Sequence, residues 1–89
     1  MTLYPVFLHL AGREVLLVGG GQVAASKLDD LLNAGARVTV VAPVICEAIR
    51  ARDVRLVERG FVERDLDGVW WVCAAAPPEI NLLVATAAE

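Results

Sequence analysis

Three features of the sequence predict an α/β domain built on a parallel sheet. Short, continuously apolar runs such as V-L-L-V and V-W-W-V-C-A have the character of strands buried on both faces. They alternate with a segment whose apolar residues recur at helical spacing. The first run ends in three glycines that open directly into that segment, G-G-G-Q-V-A. Strands that alternate with helices lie parallel in one sheet and are joined by right-handed crossovers.

Taken in order, residues 4–10 form an apolar lead-in expected to lie extended against the domain, followed by a turn at Ala11-Gly12-Arg13. Residues 15–18 are the first strand. Residues 22–34 predict a helix, because Ala24, Leu28, Leu31 and Leu32 face one way while Lys27, Asp29, Asp30 and Asn33 fall on the other side. Gly35 stands where a helix C-terminal glycine belongs. A second strand over 37–41 is rich in β-branched residues and ends at Pro43. A short helix is expected over 44–50, with Ala48 and Ile49 inward, and a third strand over 54–57. A turn region over 61–67, where Asp65 is placed to cap a helical turn, leads through Asp67-Gly68 to a fourth strand over 69–74. Pro77-Pro78 ends that strand and can open a last helix carrying Ile80, Leu83, Val84 and Ala87.

Four strands with the glycine turn after the first form a Rossmann-like half, with expected strand order 3-2-1-4 and helices on both faces. A ligand is expected beyond the C-terminal ends of strands 1 and 4, where the order reverses. The whole chain, residues 1–89, is expected to be one dinucleotide-binding domain, incomplete because Glu89 stands where a fifth strand should begin.

Composition narrows the function classes. The 89 residues are 57 % hydrophobic, and the mean hydropathy is +0.59. Two-sided burial of parallel strands accounts for this, as does a surface made to pack against another body. The apolar runs fall short of a membrane span, and the N-terminus lacks a secretory pattern, so a cytoplasmic location without a membrane is expected. A net charge of −3 with no basic cluster argues against nucleic acid. Cys46 and Cys73 lack metal or redox spacing and are expected to be reduced, small core residues. His9 is the single histidine, so no metal site is expected.

The glycine turn carries the chemistry. A strand that ends in glycines at a helix N-terminus presents unpaired N–H groups at the positive end of the helix dipole, which attracts phosphate. Residues 19 to 24 fit G-x-G-x-x-A. Gly19 would make the tight turn, Gly21 would admit a pyrophosphate to the backbone, and Ala24 would let the helix pack closely on the strand. The alternative is a glycine-rich packing turn with no ligand.

Dinucleotide folds often place an acid about 20 residues after the glycines to hold the ribose hydroxyls. Here the stretch Val40-Val41-Ala42-Pro43-Val44 holds neither an acid nor an arginine, so backbone groups near Ala42 to Val44 would have to meet the ribose. Ala74-Ala75-Ala76 leaves room beside strand 4 for the pyrophosphate and nicotinamide side, or equally for close helix packing. No catalytic constellation is visible: Ser26 and Thr39 lack a histidine partner, and Asp29 and Asp30 belong to a solvated face. Trp70 and Trp71 are expected on opposite faces of strand 4, one in the core and one under a helix.

Together, Y-P-V-F-L-x-L-x-G-R, V-L-L-V-G-G-G-Q-V-A-A-S-K, L-L-N-A-G-A-R-V-T-V-V-A-P and V-E-R-x-F-x-x-x-D-L-D-G-V-W-W-V-C-A-A resemble one family. It is the precorrin-2 dehydrogenase / sirohydrochlorin ferrochelatase family, in its N-terminal NAD-binding domain, and the closing N-x-x-V-A-x-A-A-E fits it too. The resemblance implies NAD-dependent oxidation of the tetrapyrrole precorrin-2 to sirohydrochlorin on the route to siroheme. In many members iron insertion follows in the same protein. It also implies a cytoplasmic homodimer. Cofactor contacts carry over to the glycine turn at Gly19, Gly20, Gly21, Gln22 and Val23, to Pro43 and Val44 after strand 2, and to Ala74 and Ala75 at the end of strand 4.

Two departures stand out. Ala76-Pro77-Pro78 replaces the Thr and acidic or polar residues the family shows there, one residue shorter. The family's aspartate implicated in oxidation and chelation falls after the fifth strand, beyond Glu89, so no catalytic residue is assigned. Two readings from other classes stand beside the enzyme: a regulatory domain that senses NAD without chemistry, and a remnant that binds nothing and pairs with a partner.

Overall fold

The structure is a computed structural model that describes residues 10–75. Four parallel strands, β1 (Glu14–Val18), β2 (Arg37–Val41), β3 (Arg55–Val57) and β4 (Trp71–Ala74), form one sheet in the order β3-β2-β1-β4. The expected strand order is the observed one, and the reversal falls between β1 and its two neighbours. Val18 is level with Val41 of β2 on one side and Ala74 of β4 on the other, so the three strands end together.

Helix α1 (Gln22–Asn33) packs over β1 and β2. Its buried stripe is Ala24, Leu28 and Leu31, with Leu32 half-buried beside them. At its C-terminus Ala36 N–H donates to Leu31 O and Gly35 N–H to Leu32 O, while Gly35 has φ +82. This is a Schellman closure, in which a left-handed glycine lets two terminal carbonyls be satisfied. The core beneath α1 includes Val15, Leu17, Val38, Val40 and Ile49, and it reaches back to Leu10, the one lead-in residue described. The other sheet face buries Leu16, Val18 and Val41 under Val57, Phe61, Leu66, Val69 and Val72. The expected lead-in over residues 4–9 and the last helix lie outside the described residues.

Two boundaries differ from expectation by more than one residue, each for a local reason. Helix α2 is Glu47–Arg50 and not 44–50. Cys46 is its N-cap in extended backbone, and the Cys46 N–H donates to Gly20 O at 2.8 Å, which holds residues 44–45 out of the helix. With the helix shortened, Ala48 faces solvent while Ile45 and Ile49 are buried. β4 begins at Trp71 because Val69 N–H turns back to Leu66 O at 3.1 Å and Gly68 adopts φ +74.

The tryptophans depart furthest. Neither is core: Trp70 is 45 % and Trp71 42 % exposed, their rings 6.5 Å apart and tilted by 39°. The Arg13 guanidinium lies 4.2 Å from the Trp70 ring centre, a cation–π contact. Among the described residues, α1 packs over β1 and β2 and not over the start of β4.

Candidate functional site

The loops that follow β1, β2 and β3, with the end of β4, converge on a cleft of about 520 Å³ at the C-terminal edge of the sheet. Its floor is Val18, Val41 and Ala42. Its rim is built by Gly19, Gly20, Gly21, Gln22 and Val23 on one side, Pro43 and Val44 on a second, and Gly60, Phe61 and Ala75 on a third. Among the described residues that line it, none carries a charge.

The three glycines do three different things. Gly19 has φ +141, a conformation that L side chains rarely adopt, and its N–H donates to Val41 O at 3.0 Å. The turn is thereby tied to the end of β2. Gly20 is required by crowding: a β-carbon there would overlap Val44 O and come within 3.0 Å of the Ala42 β-carbon. Gly21 is the α1 N-cap, and among the described residues no heavy atom lies within 4 Å of the space its β-carbon would take.

Above Gly21 the helix start is uncapped. Among the described residues no side chain caps its first N–H groups, and no acid stands in the first turn. A helix of 12 residues offers partial positive charge at that end, aimed across open space. Ala24 is fully buried, so α1 sits close on β1 as the third small position of the motif requires. Among the described residues, Gln22 is the only polar side chain on this rim. Val23 and Val44 are 62 % and 77 % exposed and form apolar lips. An apolar cleft with backbone donors at one point suits a dinucleotide, whose pyrophosphate needs donors and whose rings need apolar walls.

Eight of the nine residues expected at the cofactor line this one cleft. Ala74 is the exception: it is level with Val18 in the sheet but is exposed and does not line the cavity. Ala75 does, and its N–H donates to Val18 O at 2.8 Å. The Cys46 Sγ lies 3.7 Å from Gly21 O, so this half-buried thiol packs on the core and on the glycine turn at once. Cys73 is half-buried against the core, and burial pushes its thiol pKa up against a smaller opposing pull from Lys27.

Sequence reasoning missed Gly60 and Phe61. Their loop is fixed by Arg59, whose guanidinium donates to both Asp65 oxygens at 2.8 and 2.6 Å and to Gly60 O at 2.9 Å. Asp65 also accepts the Val62 N–H at 2.9 Å, and so caps the 3₁₀ turn Glu63–Leu66 as expected. The Arg59 bonds hold the Asp65 carboxyl below its ordinary range; burial opposes them and the Val62 bond assists. The signal that could have found Gly60 and Phe61 was topological: the loop after β3 leaves the sheet at the same edge as the glycine turn.

The protein family described as "Putative NAD(P)-binding" matches residues 6–89. The siroheme synthase of Thioalkalivibrio sulfidiphilus is 45 % identical over 83 residues, which is 89 % of this chain and 17 % of that protein. The siroheme synthase of Photorhabdus laumondii is 43 % identical over 84 residues, 90 % of this chain and 18 % of that one. Among solved structures, SirC, precorrin-2 dehydrogenase, superposes with a TM-score of 0.86 at 34 % identity, over 93 % of this chain and 44 % of its own. The chain thus spans less than a fifth of those two synthases and under half of that dehydrogenase. It belongs to the NAD(P)-binding family so described, and its likeness to siroheme synthases and to precorrin-2 dehydrogenase runs nearly its whole length.

Proposed function

We propose that residues 1–89 are the NAD-binding portion of a precorrin-2 dehydrogenase acting in siroheme synthesis, working as a cytoplasmic homodimer. The observation that carries this reading is the open space over Gly21, set at an uncapped helix start inside an apolar cleft. In this reading NAD supplies the hydride acceptor for oxidation of the tetrapyrrole. The N–H groups of Gln22 and Val23 hold the pyrophosphate. Gly19 and Gly20 shape the turn, Pro43 and Val44 wall the adenosine end, and Ala75 leaves room at the nicotinamide end, with Ala74 beside it in the sheet. The names of the relatives support the substrate class. No acid–base residue of this chain is assigned to the oxidation, and no residue to iron insertion. The 89-residue chain is therefore expected to bind NAD without turning over precorrin-2.

Calorimetric titration of the folded chain with NAD tests the binding half of this reading. Saturable one-to-one binding supports it, and a folded chain that takes up no nucleotide refutes it. A second reading, a domain that senses NAD without chemistry, is favoured by the uncharged lining of the cleft. Oxidation of precorrin-2 by a longer form of the protein separates the two.

A further inference from the structure

Two walls of the cleft are joined from behind by one side chain. The floor is held by the backbone. Gly19 N–H donates to Val41 O at 3.0 Å and Ala42 N–H to Val57 O at 3.1 Å, so the ends of β1, β2 and β3 stay together. Beyond these bonds the loop after β2 carries Pro43 and Val44, and the loop after β3 carries Gly60 and Phe61. They rise as separate walls.

Each wall has its own support. Val44 O packs on Gly20, and Cys46 N–H bonds Gly20 O at 2.8 Å, which ties the second wall to the glycine turn. Arg59 ties the third wall to the 3₁₀ turn through Gly60 O and both Asp65 oxygens. Neither set of bonds joins one wall to the other.

Arg50 does. It is the last residue of α2 and lines no part of the cleft. Its Nε donates to Ile45 O at 3.1 Å, next to Val44 in the chain. Its Nη2 pairs with the carboxylate of Glu58, next to Arg59. A guanidinium is planar and presents its donors in a rigid fork, so two partners bonded to it are held at one separation. Among the described residues, this is the polar side-chain link between the two loops. The ion pair is exposed and adds little to folding. Its consequence is for a ligand, because walls already at their working separation spare the ligand the cost of ordering them.

We propose that Arg50 is a positioning residue for the nucleotide: from outside the cleft it joins Ile45 O to Glu58 and so sets the gap between Val44 and Phe61 in which a flat ring of the dinucleotide is held. This inference rests on the NAD-binding reading above. A lysine at position 50 keeps the charge but lacks the fork, and it does not hold both partners at once. Arg52 supplies a matched control. Its pair with Asp29 is of similar exposure, and neither residue lines the cleft.

Calorimetric titration of the full chain with NAD tests this in wild type, Arg50→Lys, Glu58→Ala, the double variant and Arg52→Lys. Arg50→Lys and Glu58→Ala should each bind NAD roughly three- to tenfold more weakly than wild type. The double variant should bind no more weakly than the poorer single, because both changes break one link. Urea midpoints should stay close to wild type, so affinity lost at unchanged stability marks positioning and not folding. Arg52→Lys should stay within about twofold of wild type in affinity. Amide exchange at Phe61 should be faster in ligand-free Arg50→Lys than in wild type. Unchanged affinity in both single variants, losses that add in the double variant, or an equal loss in Arg52→Lys overturns the inference and leaves NAD binding intact. A folded wild type that takes up no NAD overturns both it and the proposed function.

Discussion

The carbonyl oxygen of Val44 fills the space in which a β-carbon on Gly20 would lie. Twenty-four positions apart, these two residues lock the turn after β1 to the loop after β2, and the Cys46 N–H to Gly20 O bond at 2.8 Å closes the junction from the other side. The middle glycine of the motif is therefore required by packing. Gly20→Ala must push the Val44 backbone away. Overpacking of this kind costs about 1–3 kcal/mol. Urea denaturation should show a lowered midpoint, and an unchanged midpoint would contradict the contact.

The Arg59–Asp65 pair should matter to the third wall of the cleft. The Asp65 side chain is only 10 % exposed and takes two guanidinium bonds and one backbone bond. Asp65→Asn loses charge-assisted bonds of a kind worth about 1.5–3 kcal/mol each at most, discounted here because Arg59 is itself 39 % exposed. A net loss of about 1 kcal/mol is expected, with release of Gly60 and Phe61 seen as faster amide exchange in that loop.

The same pair sets a pH dependence. The folded Asp65 pKa lies below that of the unfolded chain, near about 3.9. The unfolded state therefore binds the proton more readily, and the stabilisation is fully present above the unfolded value and lost as pH falls through the folded one. The stability difference between wild type and Asp65→Asn should be constant above about pH 5 and shrink below about pH 4. A difference that grows on acidification would contradict the assignment.

Core and solvent faces of α1 should separate cleanly. Leu28 is 1 % exposed beneath the helix, and Leu28→Ala is expected to cost about 2–5 kcal/mol. Asp30→Ala, on the exposed face, should stay within about 0.5 kcal/mol of wild type. Thermal denaturation of both variants checks the orientation of the helix.

Cys73 offers a labelling test of the sheet. Its thiol is half-buried and its pKa raised by burial, so little thiolate is present at neutral pH. Iodoacetamide should modify Cys73 slowly in the folded chain and faster in urea, as read by mass spectrometry of the peptide. Equal rates in both states would mean that β4 does not pack as described.

Much of this architecture was legible because its signals are local. Glycines between an apolar run and a helical stripe, β-branched residues over 37–41 and Gly35 after Asn33 each specify conformation from neighbours in sequence. The strand order then follows from the rules of parallel crossovers. What was not legible depends on contacts between distant segments. The true role of Gly20 depends on Val44, the late start of α2 on the bond from Cys46 to Gly20, and the place of Gly60 and Phe61 on Arg59 and Asp65. The exposure of Trp70 and Trp71 was not legible either, because an apolar run reads the same in a core and at its edge.

Gly21 tests the central claim most directly, because it separates binding from folding. Its φ of −99 is open to any residue, and a β-carbon there touches none of the described residues. Gly21→Ala should leave the denaturation midpoint nearly unchanged while filling the space over the helix start. Titrating wild type and Gly21→Ala with NAD by calorimetry should show saturable binding in the first and at least about tenfold weaker binding in the second. Equal affinity in the two folded proteins, or no binding by folded wild type, would contradict the claim that the glycine turn holds a dinucleotide.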